Sequence, residues 1–208
     1  MTNSLRRGYV CSWSIAGVVL TALHGLPQQV MAPAPSGEIV LDMDPHESRV
    51  SWTLGATFHT VRGTFALKKG ALHLDPESGA IGGEIAVDAT SGKSGDDSRD
   101  KKMHKDVLES TRFTEVVFRP DRVFGKIAPQ GRFGVQLHGS MLLHGGEHEL
   151  TVPVQAEFNG DRWTGSAKFS VPFIDWGLKN PSTFLLKVSH AVDIELELHG
   201  RLQRPTAP

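Results

Sequence analysis

The sequence is poor in cysteine, in tyrosine and in net charge. Its 208 residues include one cysteine and one tyrosine, and 22 basic residues face 23 acidic ones, which gives a net charge of −1. A single cysteine excludes a disulfide framework and a thiolate zinc site. The near-neutral charge argues against a nucleic-acid-binding protein. Long apolar runs are also scarce, so the composition does not fit a bundle of membrane helices.

The residues that are abundant indicate a folded domain rich in turns. Hydrophobic residues make up 39% and charged residues 22% of the chain, which is typical of a globular protein with a sizeable core. The 22 glycines and 12 prolines predict many turns, and therefore β-structure. For this length we expect one domain.

The N-terminal residues have the anatomy of a secretory signal. An arginine pair at 6–7 precedes an uncharged, mostly apolar run over 9–23, and a small-residue cleavage motif follows. We predict a signal peptide over 1–32 and a periplasmic or secreted protein. An uncleaved membrane anchor and a twin-arginine signal are the alternatives. Cleavage would remove Cys11, leave a net charge of −3 and leave no stable membrane insertion.

From residue 38 onward, apolar and polar residues alternate with a period of two. The clearest stretch is 187–199, and such alternation predicts a strand with one buried and one solvent-facing side. We predict an extended leader over 33–37, one all-β domain over 38–202 and a tail over 203–208. The eight predicted strands lie near 50–58, 61–67, 81–89, 116–118, 133–143, 150–158, 163–171 and 188–198.

Two turns predict the register of the later strands. The pair at 159–160 is Asn-Gly, the strongest short hairpin signal, and the pair at 145–146 is Gly-Gly. Centring the first turn on 159–160 places Val154 opposite Gly165. Both turns give the same inward face, which predicts a continuous antiparallel meander.

The alternation changes phase once. Phe65 and Leu67 occupy odd positions, whereas Leu72 and Leu74 occupy even ones. A β-bulge at Gly70 would explain the change and bend a long strand. Two short strands joined by a turn are the alternative.

One segment, 96–108, lacks the alternation and is mostly polar. Its apolar residues are spaced as on one stripe of a helix, and Asp97 or Ser98 can cap that helix. We expect the stripe to lie on an open end of the β-structure. The stripe consists of Met103, Val107 and Leu108.

Eight antiparallel strands with one apolar face can form a sandwich or close into a barrel. Closure removes exposed edges, so we predict an all-β, eight-stranded antiparallel barrel with one short helix covering an end. Small residues at inward positions favour a hollow barrel that binds an apolar ligand, with a filled, tapered core as the alternative. These small residues are Ala56, Gly63, Gly83, Ala89, Gly139, Ala156, Gly165 and Ala167.

Seven segments, in chain order, carry a family resemblance. They are Asp44–Trp52, Thr60–Phe65, Gly70–Pro76, Arg99–Asp100, Phe113–Phe118, His138–Gly145 and Asp175–Leu178. Together they resemble the YceI-like family of polyisoprenoid-binding periplasmic proteins; 44–52, for example, is similar to its D-x-x-H-S-x-V-x-F motif. The resemblance implies a lipocalin-like barrel that holds a long isoprenoid chain, with no catalytic machinery and no cofactor. Thr114 and the segment 103–108 depart from the family pattern.

The predicted lipid-binding residues are the large inward side chains. They are Trp52, Leu54, Phe58, Phe65, Ile85, Val87, Val116, Phe118, Leu137, Met141, Val154, Phe169, Val192 and Ile194. Arg62 and Arg99 are candidates for binding a phosphate or quinone head group at the mouth. Pairing of either arginine with surface aspartates is an equal alternative.

Histidines raise two further hypotheses. His144 and His148 flank the Gly-Gly turn, but zinc needs three or four convergent ligands, and we predict no metal site. Ser98, Asp100 and His104 could be assembled into a hydrolase triad, but a capped, solvated helix explains them more simply. His190 lies on the apolar parity of its strand, as an interior histidine or a head-group contact.

We therefore predict a non-enzymatic carrier or store for a long isoprenoid-type lipid, such as a polyprenyl phosphate or quinone, outside the cytoplasm. An enzyme acting on a small lipid or quinone, through His104 or His190, and a ligand-free adaptor barrel are the alternatives. A homodimer stays open.

Overall fold

The computed structural model describes residues 37–204. The predicted signal peptide, all but the last residue of the predicted leader and the residues after 204 lie outside the described residues. One helix, α1 (Asp97–Lys102), continues into a π-helical turn at Met103–Val107. The strands are β1 (Ile39–Met43), β2 (Arg49–Gly55), β3 (Thr60–Leu74), β4 (Ile81–Lys93), β5 (Glu115–Phe124), β6 (Gly131–Leu143), β7 (Gly146–Asn159), β8 (Arg162–Val171) and β9 (Val192–Gln203).

The strands form a closed ring of antiparallel pairs. From β3 to β9, each strand pairs with the next in chain order. Both β1 and β2 pair with β3 and with β9, but β2 pairs with residues 60–65 of β3 and β1 with residues 71–74. They are two halves of one strand position, interrupted at 44–48. The ring therefore has eight positions, which confirms the predicted barrel, although β1 was not among the predicted strands.

Both hairpin turns lie one residue from their predicted positions. The turn between β6 and β7 is centred on 144–145, where both residues have positive φ. The turn between β7 and β8 is centred on 160–161, with glycine in the first position as a type II′ turn requires. The predicted registers are wrong by two residues, and Val154 pairs with Ala167 instead of Gly165. Because side chains alternate with a period of two, the predicted inward face is preserved.

β3 is one continuous strand, so the two-strand alternative is wrong. Its register with β4 shifts between Leu67 and Lys69, which makes Lys68 the extra residue rather than Gly70. The bulge lies where the partner of β3 changes from β2 to β1, and there it bends the strand. On the β4 side, the Asp88 carboxylate accepts hydrogen bonds from the hydroxyl and the backbone N–H of Thr90. These bonds, and chiefly the one from the hydroxyl, lower the pKa of Asp88.

The helical segment starts one residue earlier than its predicted caps. Asp96 is the N-cap, and its carboxylate accepts the backbone N–H of Arg99 at 2.8 Å, so neither Asp97 nor Ser98 caps the helix. The predicted apolar stripe faces the interior. Its members Met103, Val107 and Leu108 all line the cavity described below.

The connections alternate between the two ends of the barrel. Those after β2, β4, β6 and β8 lie at one end, which we call the helical end, and those after β3, β5 and β7 lie at the other, which we call the turn end. The connection after β8 is long and irregular, so β9 begins at Val192, later than predicted. Val188 makes only an isolated bridge with Ala56, and His190 is exposed. Within residues 37–204, no helix has the length and apolar character needed to cross a bilayer.

Candidate ligand-binding cavity

The barrel encloses a cavity of about 600 Å³. Inward side chains from all nine strands form its wall, and that wall is overwhelmingly apolar. Its volume lies within the roughly 300–1,000 Å³ found for sites that bind small organic ligands. The interior is therefore hollow, and the filled-core alternative is wrong.

The small inward residues have two different roles. Four border the cavity: Ala56, Ala156, Gly165 and Ala167. The others permit close packing. A Cβ at Gly63 would lie 2.4 Å from the indole of Trp52, and one at Gly139 would lie 2.3 Å from a carbonyl of β5. Gly83 has a φ of 103°, and Ala89 is fully packed. Four of the eight small inward residues therefore pack closely against neighbouring atoms and do not border the cavity.

Most of the predicted lining is in place. Thirteen of the residues proposed from the sequence border the cavity: Trp52, Leu54, Phe65, Ile85, Val87, Val116, Phe118, Leu137, Met141, Val154, Phe169, Val192 and Ile194. Phe58 does not, and its side chain is 81% exposed. The reason is that β2 ends at Gly55, after which the backbone N–H of Ala56 bonds to the carbonyl of His59 in a turn. The alternation of the strand therefore stops before Phe58.

Sequence reasoning missed the aromatic residues that close the turn end. Phe133 and Phe158 pack edge to face, with ring centroids 4.9 Å apart. The indole N–H of Trp163 donates to the Asp42 carbonyl at 3.2 Å. All three aromatic residues line the cavity. Alternation could have identified them, because on β6, β7 and β8 they have the same inward parity as the predicted lining residues Leu137, Val154 and Phe169.

Residues from the irregular connection between β8 and β9 also line the cavity, and no periodic signal could have identified them. They cover the helical end, and include Phe173, Leu178 and Leu186. Phe173 and Leu178 pack in one apolar cluster with Val107 of the helical segment.

Polar side chains reach the cavity at the helical end. Arg99 and Lys102 line it there, beside Asp96 and Ser98. The Arg99 guanidinium is half-buried and fixed: its Nε donates to Ser94 Oγ at 2.7 Å and its Nη2 to the Ser94 carbonyl at 3.4 Å. This end can therefore place a positive charge next to an apolar interior.

Arg62, the other predicted head-group residue, does not line the cavity. Arg62 pairs with Thr53 across β2 and β3, and it points to solvent one residue after inward-facing Val61. The second cation at the mouth is Lys102, which the sequence analysis did not single out.

The proposed hydrolase triad is not assembled. The ring of His104 bonds to Ser110 Oγ through Nδ1 at 2.9 Å and to the Gly92 carbonyl through Nε2 at 2.8 Å. Both ring nitrogens are therefore occupied, and the bond from Nε2 ties the helical segment to β4. The Asp100 carboxylate accepts the backbone N–H of Ser94 at 2.9 Å and does not orient the histidine.

The two histidines beside the β6–β7 turn do not converge. His144 occupies the left-handed region with a φ of 52° and packs on Phe113, whereas His148 stacks on Trp176 with ring centroids 4.2 Å apart. Among residues 37–204, no three His, Cys, Asp or Glu side chains are grouped as metal ligands would be.

Comparisons with known proteins agree with this architecture. Residues 41–200 match the YceI-like domain family, whereas no curated protein matches the chain. The structure is similar to that of BcnA from Burkholderia cenocepacia, with a TM-score of 0.64 at 19% identity over 76% of this chain and 99% of BcnA. A polyisoprenoid-binding domain from Saccharophagus degradans, implicated in plant cell wall breakdown, has a TM-score of 0.59 at 13% identity, covering 79% of this chain and 98% of that domain. A YceI protein from Campylobacter jejuni has a TM-score of 0.54 at 14% identity, covering 70% of this chain and 86% of that protein.

At these identities the structural neighbours show the fold alone, and the family match carries the relationship. It begins in β1 and ends in β9, so it spans the complete ring of strands. Because that match covers most of the sequence and agrees with the ordered motifs, the chain belongs to the YceI-like domain family.

Proposed function

We propose that the protein binds a long-chain isoprenoid-type lipid in its barrel and carries or stores it outside the cytoplasm. The observation that carries this proposal is an apolar cavity inside the barrel with cations at one end. The Saccharophagus degradans neighbour is described as a polyisoprenoid-binding domain, which supports the ligand class. A ligand-free adaptor would not need this empty volume, and the commitment of His104 to structural bonds speaks against its use in catalysis.

Burial of the lipid tail supplies the driving force. Removing apolar surface from water is worth about 25 cal/mol per Å², so enclosing a chain of roughly 30–40 carbons is strongly favourable. The net affinity is smaller, because the flexible chain loses conformational freedom in the cavity. The tail would lie toward the aromatic residues of the turn end, and the head group would lie at the helical end.

Native mass spectrometry tests the proposal directly. We expect protein purified under gentle conditions from its own host to retain a mass adduct that fragments as an isoprenoid. Delipidated protein should regain an adduct when a polyprenyl phosphate or an isoprenoid quinone is added. A clean apo mass together with no uptake of either lipid would refute lipid binding.

Arg99 should select the head group. An Arg fork binds phosphate oxygens with two charge-assisted hydrogen bonds. We therefore expect Arg99→Gln to weaken binding of a polyprenyl phosphate by about tenfold, equivalent to ~1.4 kcal/mol, while binding of the uncharged polyprenol of the same length is unchanged. Competition against a fluorescent polyprenol measures both.

Arg62→Gln is the matched control, because it removes the same charge from the outer face. Equal losses for Arg62→Gln and Arg99→Gln would show that the effect is only long-range electrostatics. Selection for a quinone instead would appear as tighter quinone than phosphate binding by the unmodified protein.

A further inference from the structure

Large apolar side chains are exposed together at the mouth of the cavity. Among the described residues, four large hydrophobic side chains are exposed: Phe58 (81%), Phe184 (94%), Leu185 (78%) and Phe124 (53%). The first three belong to the two connections that border the cavity at the helical end. We call Phe58, Phe184 and Leu185 the rim patch.

Backbone bonds hold the two connections of the rim patch together. The N–H of Thr57 donates to the Lys187 carbonyl at 2.9 Å, and the N–H of Lys187 donates to Thr57 Oγ1 at 3.0 Å. The N–H of Ser189 donates to the Gly55 carbonyl at 2.8 Å. The rim patch is therefore one surface carried by two tied segments.

The tip of the longer connection has an unusual composition. The N–H of Leu186 bonds to Thr183 Oγ1 and the N–H of Thr183 to the Leu186 carbonyl, which makes Phe184 and Leu185 the central residues of a tight turn. Such positions favour Gly, Pro, Asn, Asp and Ser. Two large apolar side chains at this tip gain nothing from the core, so their exposure indicates contact with an apolar phase outside the protein.

The chain segments that carry the rim patch contain more basic than acidic residues. The stretches 55–62 and 178–190 contain Arg62, Lys179 and Lys187 and no aspartate or glutamate. Asp106, at 4.0 Å from the Lys179 amino group, faces them from the helical segment. Asp175 lies in the same connection as Lys179 and Lys187, and the segment 96–112 is balanced, with five acidic and five Lys or Arg residues. The surplus is therefore positive, which complements an anionic surface.

We propose that the helical end docks on a lipid bilayer with anionic headgroups, inserting the rim patch so that the cavity mouth opens toward the membrane. The bilayer is favoured over a protein because three projecting side chains on convex turns fall well short of the ~800 Å² per partner of a stable protein interface. The inference deepens the proposed function, since a bilayer is where an isoprenoid lipid would be loaded or released.

A fluorophore placed in the rim patch tests this docking locally. With the only cysteine removed by Cys11→Ser, the full chain carrying Leu185→Cys is labelled with an environment-sensitive dye. We expect a blue shift and higher emission on adding vesicles of phosphatidylethanolamine and phosphatidylglycerol, and a weaker response with pure phosphatidylcholine. The same dye at Phe124→Cys, an exposed position at the turn end, should not respond. No response at 185, or equal responses at both positions, would overturn the proposal.

Vesicle flotation of unlabelled variants supplies the second readout. We expect Phe184→Ser with Leu185→Ser to reduce the vesicle-bound fraction about tenfold, in line with the apolar area withdrawn from the bilayer, and Phe124→Ser to leave it unchanged. Uptake of a detergent-solubilised isoprenoid should be unaffected in all variants, so a failure of docking is distinguishable from a failure of lipid binding. If sedimentation instead shows that the unmodified protein is a dimer and that the Phe184→Ser, Leu185→Ser variant is a monomer, the rim patch is a contact between copies and the proposal is wrong.

Discussion

At the scale of single residues, glycines show how the same residue type serves different ends. Gly165 borders the cavity, whereas Gly63 lies against Trp52 and beside the Lys93 carbonyl, which a Cβ would approach to 2.2 Å. Alternation alone identifies both as inward, but it cannot distinguish them, because the difference lies in which long-range neighbour fills the space. Phe58 illustrates the same limit, because its orientation depended on where β2 ends. The outward orientation of Arg62, by contrast, follows from its parity beside inward-facing Gly63 and Phe65.

Gly63→Ala should destabilise the barrel. The added Cβ meets a backbone carbonyl and an indole ring that are both fixed, and overpacking of this kind typically costs about 1–3 kcal/mol. Gly82→Ala, on β4, is the control, because a Cβ there has no atom within 4 Å. Chemical denaturation compares the two. A free energy of unfolding that falls equally in both variants would contradict this account of Gly63.

At the scale of elements, the helical segment shows what short-range signals can and cannot predict. Its existence and apolar stripe follow from the spacing of 103, 107 and 108. Its attachment does not, because it depends on His104 bonding to Gly92 of β4 and to Ser110. Gly92 also leaves the space in which Met103 and Phe65 meet, since a Cβ would come within 2.8 Å of both side chains.

His104→Ala should loosen the helical segment without unfolding the barrel. It leaves buried Ser110 and the Gly92 carbonyl without partners, which costs about 1–3 kcal/mol. Hydrogen exchange should accelerate over residues 97–107 and remain slow in β6 and β7. Lys105→Ala, an exposed neighbour on the same segment, is the control. A single-turnover loss of lipid-modifying activity in His104→Ala, with exchange unchanged, would instead indicate an enzyme.

At the scale of the whole molecule, closure was predictable because the inward parity survives errors of two residues in register. Both hairpin registers were misplaced by that amount, yet 13 of the proposed residues still line the cavity. The covering of the helical end was not predictable, because residues 172–186 show no alternation of apolar and polar residues. The sequence thus predicted the wall of the cavity better than its mouth.

Leu137→Trp should fill the cavity and block lipid uptake while the barrel stays folded. Leu137 lies on the inward face of β6, and its neighbour Gln136 faces solvent. Gln136→Trp is therefore the control. A ligand at 100 times its dissociation constant stabilises a protein by about 2.7 kcal/mol, so added isoprenoid should raise the melting temperature of the unmodified protein and of Gln136→Trp. An equal rise in Leu137→Trp would place the ligand elsewhere.

The interrupted first strand has a consequence for how the molecule is made. β1 and β2 both pair with β9, from which they are separated in sequence by all the other strands. During synthesis, the hairpins of β5 to β8 can pair as they emerge, but the ring stays open until the last strand arrives. Contacts this distant in sequence slow folding and leave unpaired edges exposed meanwhile. Loss of residues 192–203 would consequently leave two edges unpaired, one at β8 and one at β1 and β2. The closed barrel would become an open sheet prone to aggregation.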